Sequence, residues 1–300
     1  MGVGKGLIMN DFSSIVSRKK YVFWQKTPSS HQSAFIKELA EMSGVEEVIL
    51  VVNSGMSEQR IALGWNAPDY GKTKILIKPE PSIIDELINQ KPSKTVHIFS
   101  FLSRDRNIKA VFNRCYGSGA LLGLLSEGRD WRGVKGKLRR AHGFFNERKY
   151  KDKLDFVLAI GHLSRKWHVM NGYSNSKIFD YCYVVNNQYE RESIPVQNQS
   201  IKNGLVKVAF VGRLAEGKNV DLLFNVISQV EERKWYLDVI GSGELLNTFK
   251  NLSLNLKINT KVSFLGTLNN SDVFNKLRDI DVLVLPSHWD GWGAVVNEAL

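Results

Sequence analysis

The feature that most constrains the fold is a regular alternation of apolar runs and helical patterns in the last hundred residues. Short runs rich in β-branched and aromatic residues alternate with stretches whose apolar residues recur at helical spacing. The predicted strands are 206–211, 235–240, 261–265 and 282–285, and the predicted helices are 220–230, 245–256 and 272–277, with another helix opening at Gly293. This order predicts a parallel sheet with right-handed crossovers and helices on both faces, whose loops after the strands lie along one edge.

The first part of the chain repeats this pattern more weakly. The predicted strands are 21–24, 45–52, 74–77, 95–99, 120–125 and 156–160, and a helix over 30–42 has Ser29 or Ser30 as its cap. The stretch 186–204 is polar and contains Pro195, which is typical of a linker.

We therefore predict an α/β protein with two Rossmann-like, doubly wound domains. The first covers 1–190, the linker covers 191–204 and the second covers 205–300. The sequence stops inside an apparent helix after four strands of the second sheet, so we expect the second domain to be incomplete at its C-terminal end.

The excess of positive charge lies in the first two thirds of the chain. The net charge is +11, and residues 201–300 hold equal numbers of acidic and basic side chains. The densest basic segment, 129–153, has ten Lys and Arg against Asp130, Glu147 and Asp152, with aromatic residues interleaved. Three interpretations remain open: a solvated surface, a contact with anionic lipid, and nucleic-acid binding. The last is disfavoured because no zinc spacing, RNP motif or helix-turn-helix accompanies the charge, so we expect no nucleic-acid partner.

Composition and cysteine use exclude several classes of protein. A chain with 43% hydrophobic and 24% charged residues is not a disordered tail, a collagen-like fibre or a small disulfide scaffold. Cys115 and Cys182 stand outside any CxxC pair, which fits a reducing compartment. No apolar run approaches the ~20 residues of a membrane-spanning helix, and the N-terminus lacks the apolar core of a secretory signal. We expect a cytoplasmic protein, soluble or peripheral on the inner face of the cytoplasmic membrane.

The segment Gly212–Asn219 nearly matches a phosphate-binding P-loop. Asn219 replaces the Ser or Thr whose hydroxyl would hold magnesium, and no later strand ends in Asp, so a nucleotide triphosphatase is disfavoured. The segment still offers Arg213, Lys218 and a helix N-terminus to an anion. The alternative is a solvated turn with two exposed cations.

Two other motifs carry little weight alone. The segment Gly241-Ser-Gly243-Glu244 is half of a dinucleotide fingerprint, with Leu246 where the third glycine belongs, so we interpret it as a tight turn. The pair Asp279-Ile-Asp281 has the form of a metal-binding D-x-D but precedes a predicted strand, at the wrong edge of the sheet, and is therefore interpreted as structural.

The most specific segment is 286–300, which carries two acidic residues eight positions apart. Asp290 lies in the predicted strand-end loop and Glu298 one turn into the next helix. Because carboxylates accept hydrogen bonds from vicinal hydroxyls, this spacing favours a polyhydroxylated ligand, with the amides around 291–294 available to its negative charge. The alternative is a capped helix with an exposed glutamate.

The order of these motifs resembles family-4 glycosyltransferases of the GT-B fold. The resemblance is carried by GRLAEGKN, GSGE, VSFLG and PSxxDGWGAVVNEA over 206–300, and it is looser over 20–190. It implies that Arg213 and Lys218 neutralise the leaving diphosphate, that Asp290 lies near the donor sugar and that Glu298 holds the ribose hydroxyls. The remaining donor-binding positions that it implies are Gly212, Gly241, Gly243, Gly266, Gly291, Trp292 and Gly293.

On the acceptor side, the resemblance implies His97 and Glu127. Two departures accompany it: Asp290 stands where the family usually has Glu, and Ser126-Glu127 stands where an acceptor-side His is common.

The resemblance implies a hexosyltransferase-type enzyme that moves a sugar, with retention, from a nucleotide sugar to a lipid-linked or polysaccharide acceptor. We expect no metal and no cofactor, since the nucleotide sugar is itself a substrate, and a role in bacterial surface polysaccharide biosynthesis. Segment 129–153 is the candidate contact with an anionic membrane. The alternative is a sugar-nucleotide-binding or scaffold protein without efficient catalysis, and we expect this 300-residue form to be poorly active.

Overall fold

The computed structural model describes residues 19–58, 61, 67–100, 102, 104–184, 204–231 and 234–300. They form two compact units, one with a seven-stranded sheet and one with a four-stranded sheet, and every strand pair in both is parallel. The predicted α/β class with two Rossmann-like domains is therefore confirmed. The predicted linker, 191–204, lies outside the described residues except for Gly204, so its boundaries stay a prediction.

The first unit has the strand order β3-β2-β1-β4-β5-β6-β7. Its strands are β1 Lys20–Gln25, β2 Glu47–Val52, β3 Lys74–Ile77, β4 Thr95–Ser100, β5 Leu121–Glu127, β6 Phe156–Ile160 and β7 Ile178–Tyr181. Its α-helices are α1 Ser30–Glu41, α2 Pro81–Asn89, α3 Arg106–Cys115, α4 Gly133–Glu147 and α5 His162–Met170. The order reverses between β1 and β4, the position at which doubly wound sheets bind ligands beyond the strand ends.

Burial on both faces explains why the central strands are almost wholly apolar. Every residue of β4 is buried, and Val22, Phe23 and Trp24 of β1 are at most 3% exposed. Helices lie against both faces of a parallel sheet, so its inner strands read as continuous hydrophobic runs. All six strands predicted in this part of the chain are present, including β3, which is mostly exposed.

The second unit has the strand order β10-β9-β8-β11. Its strands are β8 Leu205–Val211, β9 Lys234–Ile240, β10 Val262–Gly266 and β11 Val282–Leu283, and its α-helices are α6 Val220–Ile227, α7 Leu246–Asn255, α8 Asn270–Arg278 and α9 Ala294–Ala299. The core gathers around Phe210, Phe224 and Leu237, none of which is exposed. The order reverses between β8 and β11, so loops that follow these two strands meet at a switch point.

Strand β11 is shorter than the predicted strand 282–285. Val284 still donates to the Ala209 carbonyl over 2.9 Å, but Pro286 follows and has no amide hydrogen to continue the ladder. At the start of β11, the Asp281 side chain accepts from the Lys207 amide at 2.8 Å, and the Asp281 amide donates to the Lys207 carbonyl at 2.9 Å. This pairing at the amino edge of the sheet fits the structural interpretation of 279–281.

Within the parts of the chain that the structure describes, none of the helices combines the length and the apolar character needed to cross a bilayer.

Candidate functional site

Backbone hydrogen bonds join the loops that follow β8, β9 and β10. The Gly212 amide donates to the Ile240 carbonyl at 2.9 Å, and the Gly241 amide donates to the Gly266 carbonyl at 2.7 Å. The Leu214 amide donates to the Ser242 carbonyl at 2.9 Å. These contacts hold three of the predicted donor-binding segments side by side at the carboxyl edge of the second sheet.

The glycines Gly241 and Gly243 are required by this close approach. A Cβ atom on Gly241 would lie 2.0 Å from the Gly212 carbonyl oxygen, and one on Gly243 would lie 2.3 Å from the Leu214 carbonyl oxygen. Gly241 also has a φ of 129°, a backbone conformation that L side chains rarely adopt. Both glycines thus have a packing role in the structure, and their contact with a donor stays a prediction.

Lys218 and Asp290 meet at the switch point of the second sheet. The Lys218 Nζ atom is 2.8 Å from both carboxylate oxygens of Asp290, and the two side chains are only 25% and 28% exposed. Two further bonds join the same loops: the His288 amide donates to the Gly217 carbonyl, and Asn219 Nδ2 donates to the Pro286 carbonyl, both at 3.1 Å. A cation and a carboxylate that are 72 residues apart in the chain therefore form one partly buried pair.

The same contacts explain the Asn at the position where a P-loop has Ser or Thr. Asn219 has a left-handed backbone with a φ of 49°, which Asn tolerates better than most residues. It immediately precedes α6, and its amide group bonds to the next loop. Asn219 thus connects the loop after β8 to the loop after β11 through this hydrogen bond.

Arg213 lies at the surface of the loop region. Its Nη2 atom is 3.0 Å from the Glu244 carboxylate, and these side chains are 72% and 55% exposed. A hydrogen bond from its own backbone lowers the pKa of Glu244, and Arg213 lowers it further. An ion pair this exposed contributes little to the free energy of unfolding. Arg213 can therefore break its contact with Glu244 and bind a diphosphate with little loss of free energy.

Glu298 is half-buried on α9, and burial raises the pKa of its carboxyl. Gly293 precedes the helix with a φ of 75°, and Gly291 and Trp292 follow Asp290 in the same loop. Among the described residues, no hydrogen bond or ion pair joins Glu298 to Lys218 or Asp290. The structure therefore pairs Lys218 with Asp290 and Arg213 with Glu244, but it does not connect Glu298 to either pair.

The structure places His97, a predicted acceptor-side residue, inside the first sheet. His97 lies in the middle of β4 and is 0% exposed, and its Nδ1 atom accepts a hydrogen bond from Trp24 Nε1 at 3.1 Å. Burial, with a smaller effect of Lys20, lowers the pKa of His97 to about 3, so the ring is neutral. The ring has no access to solvent in this structure, and the acceptor-side role of His97 stays a prediction. Glu127, in contrast, is exposed at the carboxyl end of β5.

Glu127 lines a cavity of about 180 Å³ in the first unit, which we call the first-unit cavity. Sequence reasoning missed the other polar groups of this cavity, above all Glu147, which is 7% exposed at the last position of α4. Glu147 is the sole acidic residue of an otherwise basic helix. Its isolation among basic residues was the one sequence signal that could have indicated a functional role. Burial raises the pKa of Glu147, and the neighbouring Arg129 opposes that rise.

The part of the chain that holds the Lys218–Asp290 pair is similar to a known domain family. Residues 192–300 match the model of "Glycosyl transferases group 1". The chain is 32% identical over 111 residues to an uncharacterized glycosyltransferase of Methanocaldococcus jannaschii, a match that covers 37% of this chain and 27% of that protein. It is 27% identical over 156 residues to an uncharacterized 41.2 kDa protein in the cps region of Klebsiella pneumoniae, covering 51% of this chain and 42% of that protein. The chain thus spans less than half the length of both relatives.

Solved structures extend the likeness to both units. Anabaena HepE in complex with UDP and glucose matches with a TM-score of 0.63 and 12% identity, over 94% of this chain and 78% of that one. The lipopolysaccharide outer core galactosyltransferase WaaB matches with a TM-score of 0.59 and 16% identity, over 93% of this chain and 77% of that one. The fold is of the GT-B type. The expected GT-B architecture is thereby confirmed, while the roles of the individual site residues stay predictions.

Proposed function

We propose that this chain transfers a sugar from a nucleotide-sugar donor to a glycan or lipid-linked acceptor, with retention at the anomeric carbon, and that the second unit binds the donor. The observation that carries the proposal is the Lys218–Asp290 pair, partly buried at the switch point of a sheet whose sequence matches a glycosyltransferase family model. The structurally similar HepE has been solved in complex with UDP, a nucleoside diphosphate, which supports the same class of donor.

The charges around the switch point suit the departure of a diphosphate. Breaking the bond from the anomeric carbon to the diphosphate leaves negative charge on an oxygen, which preorganised cations stabilise. The Lys218 ammonium has three donor hydrogens, so it can bind a phosphate oxygen while Asp290 still holds it. Arg213 supplies the second cation, and the ionised Glu298 accepts hydrogen bonds from the ribose hydroxyls. The proposal uses no metal ion and no cofactor.

Helix α4 supports a membrane-associated acceptor. Val134, Leu138 and Phe145 recur at helical spacing along one side and are 77%, 68% and 67% exposed. Lysines and arginines flank them, and the buried positions of the helix are Gly136, Gly143 and Glu147. An exposed apolar stripe bordered by cations fits the interface of an anionic bilayer. We therefore propose that the protein acts at the inner face of a membrane on a lipid-linked or surface glycan, and the cps-region relative also favours such an acceptor.

Transfer assays with site variants test the proposal. Purified protein is incubated with a panel of radiolabelled sugar nucleotides and a lipid-extract acceptor, and transfer is measured for Arg213→Ala, Glu298→Ala and the control Arg278→Ala, whose exposed residue ends α8. We expect a loss of roughly 100-fold or more in the first two variants and none in the control. Unchanged turnover in both site variants contradicts the proposal.

A second candidate function is nucleotide-sugar binding without catalysis. It is favoured by Asp290, which is one methylene shorter than the usual Glu and is held by both of its oxygens to Lys218. Calorimetry beside the transfer assay separates the two functions. Binding of a sugar nucleotide without product supports the second candidate for this 300-residue form, whereas rapid turnover contradicts it and also contradicts our expectation of poor activity.

A further inference from the structure

The first-unit cavity lies at the carboxyl edge of the first sheet. Its lining includes Ser100, Glu127 and Ile160, which end strands β4, β5 and β6, together with residues of α4 and α5. At about 180 Å³ the cavity is smaller than the roughly 300–1,000 Å³ of sites for drug-sized ligands. Its size suits a single sugar ring.

Glu147 presents a buried acceptor atom to this cavity. The side chain lines the cavity and is 7% exposed, and its Oε2 atom has no hydrogen-bond donor among the described residues. Trp167 and Tyr173 lie beside the same side chain, and both lower the pKa of Glu147 against the larger effect of burial. A buried carboxyl oxygen without a donor is costly, and a hydroxyl-bearing ligand that enters the cavity would offset that cost.

His168 does not supply the missing hydrogen bond. Its Nδ1 atom is 3.9 Å from Glu147 Oε2, too far for a hydrogen bond. The ring is 1% exposed, and burial lowers the pKa of His168 to about 4, so it carries no charge at neutral pH. Among the described residues Oε2 therefore has no donor, and a ligand hydroxyl in the cavity can supply one.

The cavity also contains a positively charged hydrogen-bond donor, the side chain of Arg129. Arg129 lines it with a half-buried guanidinium, which lies 5.9 Å from the centre of the Trp167 ring. Tyr150 and Tyr173 add aromatic surface. A sugar ring matches this set, since its apolar face packs on aromatic rings while its hydroxyls both donate to a carboxylate and accept from a guanidinium. Two carboxylates, of Glu127 and Glu147, and two guanidinium groups, of Arg104 and Arg129, line the cavity, so its balanced charges suit a neutral sugar better than a phosphate.

We propose that the first-unit cavity binds the terminal sugar of the acceptor and that Glu147 selects it by accepting a hydrogen bond from one of its hydroxyls. This inference rests on the proposed function and adds Glu147 to the acceptor-side residues. Glu147 is a specificity-determining residue in this proposal: it takes part in binding the acceptor and not in the transfer of the sugar.

Ligand-observed NMR with a panel of methyl glycosides tests the inference. We expect at least one glycoside to bind the wild type, to bind Glu147→Gln at least 10-fold more weakly, and to bind the control Glu86→Gln normally, because Glu86 is exposed on α2 outside the cavity. UDP affinity, measured by calorimetry on the same samples, should be equal in all three proteins. Equal glycoside binding by wild type and Glu147→Gln overturns the inference.

Titrations of the same proteins with inorganic phosphate and with a panel of sugar nucleotides give further decisive outcomes. Binding of inorganic phosphate but of no glycoside overturns the choice of a sugar, and UDP binding without glycoside binding overturns the acceptor site while leaving the proposed function intact. Failure of every sugar nucleotide to bind contradicts the proposed function instead. If thermal unfolding shows that Glu147→Gln does not fold, Arg129→Lys takes its place, with an expected weakening of roughly 5-fold or more because lysine lacks the planar donor fork of arginine.

Discussion

Replacing Asp290 by Asn should strengthen the binding of UDP while it weakens sugar transfer. The Lys218 ammonium lies 2.8 Å from both oxygens of Asp290. A phosphate that binds the same ammonium shares it with a carboxylate of like charge. Asn keeps the shape and one acceptor oxygen but removes that charge.

The size of the effect follows from Coulomb's law. Two anions on one ammonium are about 5 Å apart, so at effective dielectric constants between 20 and 80 their repulsion is about 1–3 kcal/mol. The Lys218 and Asp290 side chains are 25% and 28% exposed, and the access of water favours the lower end of that range. About 1 kcal/mol corresponds to roughly 5-fold tighter binding of UDP.

Calorimetry with UDP measures the change, and Asp279→Asn is the matched control. Asp279 is exposed and precedes β11, so the control makes the same change of charge at the amino edge of the sheet. We expect Asp290→Asn to bind UDP more tightly, Lys218→Met to bind it more weakly and the control to match the wild type. If Asp290→Asn binds UDP more weakly, then Asp290 serves to position Lys218, and the reasoning from shared charge is wrong.

Three further predictions rest on single observations. Gly241→Ala should lower the free energy of unfolding by roughly 1–3 kcal/mol in denaturant titration, because its Cβ would lie 2.0 Å from a carbonyl oxygen and its φ is 129°. Since burial raises the pKa of Glu298 and a ribose hydroxyl binds the ionised form, UDP affinity should fall on acidification at a pH above the usual range for Glu, and a Glu298→Gln variant should lack that pH dependence. The double variant Leu138→Ser, Phe145→Ser should sediment less with anionic vesicles, whereas Val226→Ser, 57% exposed on α6, should not; equal binding of the wild type to neutral and acidic vesicles contradicts a lipid contact.

The second sheet could be predicted because its signals are local. Each strand is an apolar run that ends at a glycine, a proline or a charged loop, and residues next to it form a helix of clear period. The pairing of Lys218 with Asp290 also follows from topology, since β8 and β11 are neighbours and their loops meet. The contact of Arg213 with Glu244 is not evident from the sequence, because it depends on the conformations of two exposed loops.

The first unit was harder to predict because its decisive features are not local. Strand β7 has only four residues, with Asp180 among them, and the glycines of α4 interrupt the helical pattern of that helix. His97 looked like a strand-end residue, but neighbouring strands on both sides of β4 enclose it. The first-unit cavity draws Glu147 and Tyr173 from separate parts of the chain, so no sequence motif marks it.

The most direct test of the account is a calorimetric titration of the wild type and Glu298→Ala with UDP-, GDP-, ADP- and TDP-sugars. The account predicts that the wild type binds at least one of these donors and that Glu298→Ala binds that donor at least 10-fold more weakly, with an unchanged unfolding midpoint. Binding of no sugar nucleotide, or equal binding by the two proteins, contradicts the claim that the strand-end loops of the second unit form a donor site.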